Sequence, residues 1–187
     1  MQAITLWQPY ASLIAEGIKT TETRSWAPKK EMLGERIAIH ASKRKISTAD
    51  WERFPIEMQQ AIILKWGSTF EVDIPYGAVV ATAVLADVKQ VHSYNAIRPG
   101  YVLVYSAHNA TTSEHMERPI MESIPADPFG DYSTGRKIWI LEDIKKLGSP
   151  IKCPGRQNLW NCDWHMGAYN AAQRFAEEGR ALDFAKD

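Results

Sequence analysis

Pro9 and Gly17 bracket a short apolar repeat and hand the chain directly to a run of threonines and long polar side chains. Tyr10, Leu13 and Ile14 between them and, one turn on, Ile18 just past the glycine keep the spacing of one helical face. Proline suits the first turn of a helix, where a backbone N–H has no acceptor. Glycine suits the left-handed position that ends one. The spacing predicts a helix over Gln8–Glu16. The segment Lys19-Thr20-Thr21-Glu22-Thr23-Arg24 then has the β-branched content of a strand. A regular pleat puts Thr20, Glu22 and Arg24 on one face and Thr21 and Thr23 on the other. Lys19 lies at the helix–strand junction, so that parity does not set its direction. A lysine, a carboxylate and an arginine leaving one tight turn can line a cleft.

The spacing Gly17-x-Lys19-x-x-Glu22-x-Arg24, preceded by Trp7-Gln8-Pro9-Tyr10-Ala11-Ser12, resembles the signature of the ASCH domain, a relative of the PUA domain. Ile37–Ser42, Gly77–Leu85 and Gly135–Leu141 are similar to later strands of the same family, so the resemblance covers most of residues 3–153. It implies an α+β fold, a PUA-like mixed β-barrel of five or six strands with flanking helices and a helix-flanked cleft. The ligand it implies is RNA, DNA or a nucleoside.

Composition agrees with a folded domain: 45% of residues are apolar and seven are tryptophan. Lysine plus arginine and aspartate plus glutamate both number 22, which argues against indiscriminate polyanion binding. The charge is uneven, however. Residues 19–45 hold eight basic side chains against three acidic ones, a local +5 that the remainder balances. A basic face on a neutral chain suits a selective nucleic-acid or nucleotide site, or a solvated surface whose charges happen to cluster. Two cysteines, Cys153 and Cys162, do not make a disulfide framework. No apolar run is long enough to span a bilayer, so a cytoplasmic protein is expected, with no membrane and no protein partner.

Along the chain, Ala3–Leu6 and Arg36–Ser42 alternate as strands. Ser47 or Thr48 can cap a helical insertion over about 48–66, which Pro55 bends or divides. Its apolar spacing suits a lid or buttress packed on the barrel. Residues 78–88 read as a strand buried on both faces, Val102–Tyr105 as a short strand, and 107–135 as a long excursion. Lys137–Ile144 returns to strand pattern, and Pro150–Arg156 is rich in turn residues. Residues 1–153 form the expected barrel domain. A C-terminal extension, 154–187, carries a helix over 164–178 packed on it.

The leading catalytic pair is Lys19 and Glu22. Expected ligand contacts come from Trp7, Gln8, Arg24, Trp26, His40, Ser42 and Lys43. Arg24 offers a planar fork for phosphate, carboxylate or a base edge; His40, Ser42 and Lys43 leave the strand end that lies near the cleft in the family. Cys153, Cys162 and His165 lack regular zinc-ligand spacing, so neither metal nor cofactor is expected.

The chain is also similar, around Gly17-x-Lys19, to small bacterial N4-acetylcytidine amidohydrolases. Their lysine matches Lys19, while the threonine that works with it falls on Glu22 here. That departure implies a modified mechanism, with Glu22 as base for water and Lys19 as oxyanion stabiliser or acid. A ribonuclease using Lys19, Arg24 and Lys43, and a non-catalytic RNA- or DNA-binding module using the same face, are the alternatives.

Overall fold

The computed structural model describes residues 1–67, 74–95, 99–107 and 121–162. Three apolar strands bring the N-terminal half together: β1 (Gln2–Leu6), β3 (Arg36–Ala41) and β4 (Ala78–Tyr94). β1 and β3 run parallel with Ala3 opposite Ala38 and Leu6 opposite Ala41, and β3 is antiparallel to β4. β2 (Thr21–Arg24) pairs antiparallel with β7 (Lys137–Lys152), and β7 follows β4 along most of its length. Adding β8 (Leu159–Asn161) against β1 gives a six-strand path, β2-β7-β4-β3-β1-β8. β5 (Tyr101–Ser106) and β6 (Glu122–Pro125) extend the far half of β4 as an antiparallel ribbon. The mixed sheet therefore has eight strands, six on the main path and two beyond the expected number.

Register shifts explain how one 17-residue strand serves two neighbourhoods. They interrupt the β4–β7 ladder between Val79 and Ala81, Thr82 and Val84, and Leu85 and Asp87. Each extra residue bends and twists the strand. The first half of β4 thereby lies beside β3 and the second half beside β5.

The predicted N-terminal helix is observed as α1 (Tyr10–Ala15), with Pro9 and Glu16 as its caps. Gly17 follows at φ +70°, and Ile18 and Lys19 both return a backbone N–H to Leu13 O. This left-handed exit aims Lys19 back toward the sheet. Ile14, Ala11 and Ala15 pack with Ile37, Ile39, Leu85 and Trp139 to form the main core. The 48–66 insertion is two helices, α2 (Thr48–Arg53) and α3 (Ile56–Trp66), separated at Pro55. Ser47 caps α2 with a reciprocal Ser47–Asp50 pair of the capping-box type. Met58 and Ile62 of α3 close over Leu13 of α1, so the insertion buttresses the helix rather than the sheet.

Two expectations change. The 107–135 stretch contains β6, because Tyr101–Val104 offers it a strand edge to pair with. The turn residues at Pro150 do not end β7, which continues to Lys152 opposite Ala78. The C-terminal helix expected at 164–178 lies outside the described residues. No helix among the described residues is long and apolar enough to cross a membrane.

Candidate nucleotide-binding cleft

Because β1 and β3 are parallel, both end at the same edge of the sheet, and the chain leaves each of them there. Trp7 follows β1 while Ser42 and Lys43 follow β3, and Ser42 N donates to Leu6 O at 2.8 Å, fixing the two exits side by side. Arg24, at the end of β2, reaches the same edge and donates from Nη2 to Thr5 O at 3.1 Å. The turn after β7 then covers the edge. Gly155 approaches so closely that a Cβ there would stand 2.3 Å from His40 Cε1 and 2.9 Å from Thr5 Oγ1.

These pieces enclose a cavity of about 570 Å³, within the roughly 300–1,000 Å³ range of small-ligand sites. Five of the expected contacts line it: Trp7, Arg24, His40, Ser42 and Lys43. The 154–158 turn adds Arg156, Gln157 and Asn158. Arg24, Lys43 and Arg156 are cationic, and no carboxylate lines this cavity among the described residues. Ser42 is buried, and its hydroxyl has no hydrogen-bond partner among the described residues. His40 is fully buried, donates from Nε2 to Cys153 O at 3.1 Å and meets Trp160 edge to face. It is thus wall rather than reactive centre.

Trp7 stands out at 58% exposure. An exposed tryptophan beside a concave polar site is an uncommon use of so large an apolar surface. The Arg44 guanidinium lies 4.3 Å above its ring centre. Arg44 is itself held by both oxygens of Asp50, at 2.6 and 2.9 Å, which keeps that carboxyl well below its ordinary range. The cap of α2 therefore steadies the aromatic side chain at the cleft mouth.

A smaller adjoining cavity of about 290 Å³ shares Thr5, Trp7 and Arg24 and adds Tyr10 and Glu22. Glu22 pairs with Arg24 Nε at 3.1 Å and its side chain is 13% exposed. Burial pushes its carboxyl above the ordinary range, against the opposing charges of Arg24 and Lys19. The Tyr10 phenol is raised too, by burial and by the negative charges of Glu22 and Asp127.

Lys19 goes elsewhere. It is 1% exposed and donates to both oxygens of Asp127, at 3.1 and 3.0 Å. Thr21 Oγ1 and Phe129 N donate to the same carboxylate. Lys19 thus turns to the Thr21 side of the strand, away from the cavity that Glu22 lines. Gln8 and Trp26 also have structural positions. The buried Gln8 amide donates to Ser12 Oγ and Pro75 O and accepts from Ser12 N, bracing α1. Trp26 packs edge to face on the buried Trp139 at 4.9 Å and accepts the Trp139 indole N–H on its carbonyl.

The residues that sequence reasoning did not single out are Asp127, Arg44 and the 154–158 turn. Asp127 has no local signature, because its partner is 108 positions away. The only clue was that a lysine buried at a helix–strand junction demands an acid. Among the described residues, no three His, Cys, Asp or Glu side chains form a cluster suited to a metal ion.

Comparison with known proteins places the chain as follows. The ASCH domain profile matches residues 4–151. A crystal structure of ASCH from Zymomonas mobilis is 18% identical and superposes with a TM-score of 0.45, over 91% of this chain and 93% of that one. A point mutant of that protein gives 18% identity and a TM-score of 0.46, over 91% and 96%. No curated protein matches the sequence.

Proposed function

The chain belongs to the ASCH domain family, and from that premise we propose that it binds a nucleotide unit, of RNA or of a modified nucleoside, in the cleft at the β1–β3 edge. The observation that carries the reading is the make-up of the cleft. Three cations and an unpartnered buried hydroxyl line a cavity large enough for a nucleotide, and an exposed tryptophan stands at its mouth. Bases stack on such a ring while guanidinium and ammonium groups meet phosphate. The inner cavity supplies the specific part. Arg24 offers donors and Glu22 an acceptor, a pair suited to the polar edge of a base.

Fluorescence anisotropy of a labelled single-stranded RNA, titrated at several salt concentrations, tests this. With Arg24 on the base edge, phosphate contact by Lys43 and Arg156 predicts a log–log slope of about −1.4, from about 0.7 per phosphate met on a single strand. Lys43→Ala reduces the slope by about 0.7. A slope near zero, or one that Lys43→Ala and Arg156→Ala leave unchanged, refutes the reading.

One observation favours a second reading, hydrolysis of an N4-acylated cytidine. The Glu22 carboxyl, raised by burial, lines a base-sized cavity beside Arg24, and a raised carboxylate is a stronger base toward water than an ordinary one. Glu22 takes a proton from water as the water oxygen attacks the acyl carbon. The carbon–nitrogen bond then breaks and the departing cytosine amine receives the proton, leaving cytidine and a carboxylic acid. In this arrangement Arg24 supplies the positive charge beside the developing oxyanion. Lys19 acts through its field on Glu22. Chromatography of N4-acetylcytidine incubations decides: cytidine release that Glu22→Gln abolishes supports hydrolysis, and no release from the native chain refutes it.

A further inference from the structure

Arg24 belongs to both parts of the cleft. It lines the outer cavity with Lys43 and Arg156, and the inner one with Tyr10 and Glu22. Its Nη2 is fixed on Thr5 O at 3.1 Å. Its Nε is buried and stands 3.1 Å from Glu22 Oε1, yet makes no hydrogen bond among the described residues. Charge, rather than a directed hydrogen bond, therefore holds the two side chains together, and that attraction lasts only while the carboxyl is ionised.

The other charged and titratable groups around Glu22 are already committed. Lys19, ahead of β2, is paired with Asp127 of the loop after β6, and Arg136, ahead of β7, with Asp131. Tyr10 of α1 faces the same cavity as a phenol whose ionisation is pushed up, so it carries no charge near neutrality. β1 contributes Thr5 and Leu6, and β7 sets Trp139 opposite Glu22, none of them charged. Arg24 is thus the counter-charge left to Glu22, and it is also one of the three cations of the outer cavity. We propose that Glu22 is a proton-operated switch on the cleft: neutral, it leaves the Arg24 charge to an anion in the outer cavity, and ionised, it cancels that charge and weakens the anion. This rests on the nucleotide reading given above and adds a regulator to it. Burial already favours the neutral carboxyl, and a bound anion favours it further by competing for Arg24. The coupling is reciprocal, so protonation tightens the anion and the anion draws a proton onto Glu22.

Anisotropy titrations of a labelled oligouridylate at constant ionic strength, from about pH 5 to about pH 8, test the proposal on the full chain. Neither the phosphodiesters nor the bases of this probe change charge over that range. The native chain is expected to bind about tenfold tighter at the acid end, the equivalent of one unit of displacement in the Glu22 titration. Glu22→Gln is expected to hold the tight affinity across the range. Calorimetry of the native chain in two buffers of different ionisation heat gives a readout that needs no variant, the uptake of a proton on binding. Binding without proton uptake overturns the switch and leaves the cleft standing. So does an acid-side gain that survives in Glu22→Gln, which would assign the titration to another group such as His40 in the outer wall. If the oligouridylate binds at no pH, the cleft itself is overturned and this proposal with it.

Discussion

Replacing Lys19 by methionine removes the ammonium that two oxygens of Asp127 grip, while keeping the aliphatic length that fills the space. The pair lies deep: Lys19 is 1% exposed and the Asp127 side chain 15%. Removing one partner of a buried pair strands the other, at a cost of about 3–5 kcal/mol. Asp127 keeps the Thr21 hydroxyl, the Phe129 N–H and an edge to water, so the lower end, about 3 kcal/mol, applies here. For a chain of this size that is a fall of about 6–12 °C in Tm. The double variant Lys19→Met/Asp127→Leu removes both charges and should recover at least half of the loss, because an apolar pair has no desolvated ion to leave unpaired. Urea unfolding followed by tryptophan fluorescence measures all three proteins. A single-variant loss below about 1 kcal/mol, or a double variant less stable than the single one, refutes the reasoning. In either case Lys19 could no longer be read as the anchor between β2 and the loop that carries Asp127.

Three further outcomes follow from the site. The folded-state carboxyl of Glu22 is raised, so the native chain holds this proton longer than the unfolded one. Its contribution to stability is fully present below about pH 4.5 and falls as pH rises from there until the raised folded value is passed. Subtracting the Glu22→Gln stability profile from that of the native chain should isolate this decline, and a difference that rises with pH would contradict it. Gly155→Ala forces a methyl group onto the buried His40 ring, and should cost about 1–3 kcal/mol in denaturant melts; an unperturbed melt would mean the turn yields freely. Trp7→Ala, by contrast, should leave the melt within about 0.5 kcal/mol because the ring is already exposed. It should weaken RNA binding about tenfold or more, and unchanged affinity would remove Trp7 from the stacking role.

Much of the local structure was legible in the residues. Gly17 marks the end of α1, Ser47 and Asp50 mark the start of α2, and Pro55 separates α2 from α3. The ASCH membership was legible in the spacing Gly17-x-Lys19-x-x-Glu22-x-Arg24. The site was legible in part. Trp7, Arg24, His40, Ser42 and Lys43 do line one cavity, while Gln8 and Trp26 serve the frame beneath it. The expectation that Lys19, Glu22 and Arg24 share one cleft divides at Lys19, since its direction depends on where an acid is available.

What the sequence by itself determined is whatever is settled within a turn or two of chain. Helix ends, the break at Pro55 and the alternation of the strands depend on backbone preferences and capping groups only a few residues apart. What only the tertiary structure decided is which distant groups meet. The parallel register of β1 and β3 brings Trp7 beside Ser42, the bends in β4 make room for the β5–β6 ribbon, and the chain beyond β6 delivers Asp127 to Lys19. A charge at that junction has no preferred partner until the sheet is assembled. Burial then makes pairing compulsory, and the partner is whichever acid the fold places there.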